Sequence, residues 1–133
     1  MAHKLVEQAV IAKLAADWSL CPVFTENGKA KPPSDGSNYV MVQFPVAQAR
    51  RVTVNQRLYR EEGAIRLVLH VRAGSGGEEL RDWIEDLSAL FCDQKFAGVT
   101  SLVPTPPYSS ERPVGAYFWA STSVPYTFNF TRA

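Results

Sequence analysis

The segment with the strongest chemical suggestion is Ala73-Gly74-Ser75-Gly76-Gly77, set between an alternating run at 64–72 and a helically patterned run at 78–91. A serine on a tight turn between strand and helix is the arrangement of a nucleophile elbow. That architecture places its acid and its histidine after the serine, and both histidines here, His3 and His70, come before it. A capping role accounts for the same residues completely. Ser75 stands at a helix start, and Glu78 three positions on completes a Ser-x-x-Glu capping box. A phosphate loop fails as well, because no lysine follows the glycines and Glu78 and Glu79 put negative charge where phosphate would sit. The expectation is therefore a helix cap at Ser75 and Glu78, with no catalytic residue.

Other reactive side chains are equally sparse. Cys21 and Cys92 stand far apart without a Cys-x-x-Cys pair or a neighbouring histidine, so they cannot assemble a zinc site and read as half-buried free thiols. His70, between Arg66 and Arg72 on its strand face, reads as a surface or interface histidine. Pro104-Thr105-Pro106-Pro107 fits a Pro-x-x-Pro spacing, which proline-rich loops often do by chance. No metal and no cofactor are expected.

The elements that carry these residues follow from periodicity. Residues 3–19 predict a helix, with Val6, Val10, Leu14 and Trp18 recurring every four positions and Leu5, Ala9, Ala12 and Ala16 widening the stripe. Residues 25–38 hold Asn-Gly, Pro-Pro and Asp-Gly and read as a loop. Tyr39–Phe44 predicts a strand stopped by Pro45. Residues 50–60 and 64–72 alternate and predict an antiparallel hairpin turning at Glu61-Glu62-Gly63, with Ile65, Leu67, Leu69 and Val71 inward and one wet face. Leu80, Trp83, Ile84, Leu87, Leu90 and Phe91 mark a second helix. Residues 96–103 read as a strand, 104–113 as a loop. Gly115 to Thr131 alternates Phe118 through Phe130 on one face, with Pro125 implying an edge, a bulge or two strands. The expected fold is α+β: a mixed, mainly antiparallel sheet of four to five strands with two amphipathic helices packed on it.

The chain's 133 residues suit one domain over 1–133. No run approaches the roughly 20 apolar residues of a membrane span. Lys4, Glu7 and Lys13 interrupt the N-terminal stretch, so it does not read as a signal peptide, and a cytoplasmic protein is expected. Formal net charge is +1, from 14 basic and 13 acidic side chains, which argues against a general nucleic-acid binder.

That balance conceals segregation. From Arg50 to Arg72 there are six arginines (Arg50, Arg51, Arg57, Arg60, Arg66, Arg72) against Glu61 and Glu62. From Glu78 to Asp93 there are six acids (Glu78, Glu79, Asp82, Glu85, Asp86, Asp93) against Arg81. Two solvated faces are one reading of such runs; the sharper one is head-to-tail association of identical subunits, which arginine suits because it pairs carboxylates bidentately. The candidate interface residues are Arg50, Arg51, Arg57, Arg60, Glu61, Glu62, Glu78, Glu79, Asp82, Glu85 and Asp86. Tyr117 and Trp119, on the face opposite Phe118, Val124 and Phe128, add a second surface that either a partner or a further layer of the protomer would cover.

Over nearly its whole length the chain resembles the tail terminator, or tail-to-head joining, proteins of long-tailed bacteriophages. The resemblance lies in the amphipathic N-terminal helix, the Asn-Gly and proline-rich loop running into Tyr39-Val-Met-Val, and the long hairpin through Glu62-Gly63-Ala-Ile-Arg-Leu-Val-Leu-His-Val. It continues through Ala73–Gly77 and Leu80–Phe91 to the aromatic closing strand from Gly115. It implies a structural virion protein without enzymatic activity. It further implies a homo-oligomer, a hexameric ring, that caps the tail tube protein, ends its polymerisation and receives a head-completion or neck protein. DNA would pass its channel without specific binding. Another neck or tail-completion role is the alternative, and a hydrolase using Ser75 a remote third. Because basic groups lining a channel would grip DNA, Arg50, Arg51, Arg57 and Arg60 are expected at a subunit interface or a rim.

Overall fold

The computed structural model describes residues 2–25, 37–54, 57–72, 77–109 and 117–131. Its elements in chain order are α1 (Lys4–Asp17), β1 (Val23–Thr25), β2 (Tyr39–Arg51), β3 (Leu58–Arg72), α2 (Gly77–Ala89), β4 (Lys95–Phe96), β5 (Val99–Ser101), β6 (Tyr108–Ser109) and β7 (Tyr117–Thr131). The fold is α+β, with both helices on one mixed, mostly antiparallel sheet. The strand order is β1-β2-β3-β7-β5-β4, β6 also pairs with β7, and β1–β2 is the parallel pair. The described residues thus form seven strands rather than four to five, the extra ones being very short.

The core lies between the helices and one face of the sheet. Val6, Val10, Leu14, Ile84, Leu87 and Phe91 meet Val40, Val42, Ile65, Leu67, Leu69, Val71, Ala120, Val124, Tyr126 and Phe128. Fully burying each large aliphatic side chain contributes about 1.5–3 kcal/mol relative to leaving it in water. The inward alternation expected for 64–72, for the second helix and for the closing strand is all present. The stripe on α1 is narrower than its spacing predicts. Ile11 packs on the core, while Leu5, Ala12 and Ala16 are exposed.

The hairpin turn is not where local chemistry places it. Glu61-Glu62-Gly63 lies inside the fifteen-residue β3, paired with Ala49, Gln48 and Ala47 on one side and with Phe128, Thr127 and Tyr126 on the other. The chain reverses between Arg51 and Tyr59, which face each other. Residues 50–60 are therefore the end of one strand and the start of the next. Pro45 does not stop β2. The register shifts by one residue between Gln43 and Val46, a bulge that takes the missing N–H out of the ladder. Gly63 fits because the Val46 carbonyl and the Tyr126 ring crowd it; a Cβ there would lie 2.4 Å from the Val46 oxygen.

β7 is one continuous central strand despite Pro125. Leu102 N–H donates to the Pro125 carbonyl at 2.9 Å. A strand residue's N and C=O point to the same side, so the imide nitrogen faces the end of β5 and costs β3 no hydrogen bond. The stretch read as a strand at 96–103 holds β5 but begins with a hairpin whose loop has two residues. Phe96 pairs with Val99, and Ala97 and Gly98 both have positive φ (48° and 84°), as a type I′ turn requires.

Candidate functional site

The buried polar centre of the molecule is structural. Glu61 is 6% exposed. Its carboxylate accepts the His3 backbone N–H through Oε1 and Oε2 at 3.1 and 3.0 Å and the Tyr126 hydroxyl at 2.7 Å. His3 is the N-cap of α1 and its Nδ1 accepts the Leu5 N–H at 3.1 Å. The carboxylate therefore sits at the positive end of the α1 dipole and docks helix to sheet. Burial and the Glu61 charge both push the Tyr126 hydroxyl far above its ordinary range, so it remains a proton donor. Glu61 belongs to this internal contact and is corrected from a surface residue to a core one.

The remaining charged candidates separate cleanly. Arg60 and Glu62 flank Glu61 on β3 and so project to the sheet face away from the helices, together with Arg50, which pairs directly with Arg60. Arg50 Nη2 lies 3.5 Å from Glu62 Oε1, with both side chains largely in solvent, and Arg60 Nε donates to Asn129 Oδ1 at 3.1 Å. Arg51 and Arg57 lie beside the reversal and are exposed. On α2, Leu80, Ile84 and Leu87 are buried, while Glu78, Asp82, Glu85 and Asp86 are exposed and Glu79 half-buried. The acids thus line the outer side of the helical layer. Ser75 lies outside the described residues; Glu78 and Glu79 occupy the first turn of α2.

The second sheet face differs from the wet one expected. Tyr39 stacks on His70 at 4.3 Å between centroids, and Tyr117 meets both rings edge-on, at 5.3 and 5.8 Å. Tyr117, Tyr39 and Val68 are buried. Tyr117 is therefore part of an internal aromatic layer, whereas Tyr108 is 69% exposed beside Trp119. Burial pushes His70 below the ordinary imidazole value, and its Nδ1 has no hydrogen-bond partner. The Pro-x-x-Pro segment is held by the sheet: Thr105 accepts from Thr122 and Ser123 and donates to the Ser123 carbonyl. Cys21 and Cys92 are free and half-buried. Among the described residues no group of three or more His, Cys, Asp or Glu could hold a metal ion, and no helix is long and apolar enough to cross a membrane.

What this geometry presents is a set of charged and aromatic surfaces around a hydrophobic core. A family profile described as phage tail terminator protein matches residues 5–126, which covers both helices and most of the sheet. The chain belongs to the phage tail terminator family. It is accordingly a structural component of a phage tail. A solved structure 23% identical in sequence shares the terminator's fold, covering 100% of this chain and 99% of the other with a TM-score of 0.61. Comparison with curated protein sequences gives no match. The surface residues of the terminator were legible as charges in the sequence. The opposition of Arg50 and Arg60 and the aromatic layer around His70 were not, because the first depends on where the hairpin reverses and the second on the register of three strands.

Proposed function

We propose that this protein closes the head-proximal end of the tail tube as a hexameric ring, ends tube polymerisation and presents the surface that a head-completion protein joins. The match over residues 5–126 carries this reading. The charged hairpin end and charged helix of a near-neutral chain support it as a self-associating subunit. DNA passes through the ring, and the arginines lie away from its lumen, where paired phosphates would add drag. The ring assembles in the host cytoplasm on the tail tube protein.

The test is polymerisation of purified tail tube protein with and without this chain. Tubes capped at one end, which stop lengthening once the chain is added, are the expected result. Tubes that grow at the same rate to the same length distribution in its presence overturn the reading.

A further inference from the structure

The two charged patches cannot meet within one subunit. Arg50 and Arg60 project from the sheet face opposite the helices, because Glu61, the next residue after Arg60 on β3, faces the other way and is buried against the start of α1. The carboxylates of α2 point away from the same sheet, because Leu80, Ile84 and Leu87 hold the other side of the helix against it. A full sheet and a helix layer separate them.

Each patch is also unfavourable alone. Arg50 and Arg60 are direct cross-strand partners, and like charges directly opposite destabilise a sheet; Glu62 answers this with a 3.5 Å contact to Arg50 alone. On α2, Glu78, Asp82 and Asp86 repeat at four-residue spacing, which places like charges next to each other. The last turn of α2 contains no basic residue, so its late acids oppose the helix dipole. The Arg50–Arg60 pair has Glu62 beside it and the acidic stripe has Arg81, so each patch keeps an excess charge that the other is able to offset.

We propose that the β2–β3 hairpin end of one subunit docks, through Arg50 and Arg60, on the Glu78, Asp82, Glu85 and Asp86 stripe of α2 in the next copy. The contact joins different patches of identical chains, so it is heterologous and propagates head to tail until rotation closes it. It rests on the ring reading and names the surfaces that close the ring. Guanidinium–carboxylate pairing rather than strand addition makes the joint. The outer edge of β2 beyond Val42 is blunted by a bulge, Pro45 and charge, as unpaired edges protected from strand addition are.

A charge exchange tests it. One variant carries Arg50→Glu and Arg60→Glu, a second Asp82→Lys and Glu85→Lys, with circular dichroism confirming the fold of each. Sedimentation at low salt should show the wild type assembled and each variant alone associating about a hundredfold more weakly. An equimolar mixture should reassemble, since every reversed hairpin then finds a reversed helix in an even-numbered, alternating ring. Variants that assemble alone as the wild type does, a mixture that stays monomeric, or a wild type that stays monomeric overturn the contact. If any of these occurs while the wild-type chain still stops tube growth, the contact is wrong and the terminator reading survives. If the mixture reassembles but tubes ignore the wild-type ring, the reverse holds.

Discussion

Glu61 shows how far a single residue's role can depart from its local chemistry. In sequence it belongs to a polar Glu-Glu-Gly cluster that reads as a turn, and in space its carboxylate binds the first helix cap from 58 positions away. Tyr126 completes that contact and covers Gly63, so three residues from separate parts of the chain form one joint between α1 and the sheet. Tyr126→Phe removes the hydroxyl donor and leaves a buried carboxylate with fewer partners. Hydrogen bonds to charged groups are worth about 1.5–3 kcal/mol, and a loss of that size should appear in urea denaturation with the slope unchanged. A variant as stable as the wild type would show that the His3 N–H alone satisfies Glu61.

At the scale of elements, helices and inward faces were legible because each is encoded by periodicity within a single segment. The positions of turns were not, because a continuous strand overrode the local turn preference of Glu61-Glu62-Gly63 once both its neighbours paired with it. The layer of Tyr39, His70 and Tyr117 is likewise a product of three paired strands. Its consequence is a pH dependence. Burial holds the folded His70 below its ordinary value, so below the unfolded value of about 6.5 the unfolded chain takes up a proton that the folded chain refuses. Stability should therefore be unaffected by this group above that pH. As pH falls from there through the folded value it should decline, by at most about 1.4 kcal/mol per pH unit. His70→Phe should flatten that part of a thermal-denaturation profile between pH 7 and 5, and an identical slope in both proteins would refute the assignment.

At the scale of the whole molecule, a formal charge of +1 conceals a basic and an acidic segment whose exposed side chains lie on opposite sides of the sheet. If those patches join subunits, assembly should weaken markedly between 0.1 and 1 M salt, as the Debye length falls from about 10 to about 3 Å. Sedimentation across that range gives the answer, and salt-independent assembly would point to an apolar joint. The sequence by itself determined the two amphipathic helices, the inward faces of the long strands, the segregation of charge and the likeness to tail terminators, all of which depend on order and spacing along the chain. The tertiary structure decided that Glu61 is internal, that Tyr117 is covered, that the hairpin reverses between Arg51 and Tyr59, and that the basic and acidic patches face opposite ways. Those outcomes depend on strand register and on which face the helices cover, and both are set by contacts between residues distant in sequence.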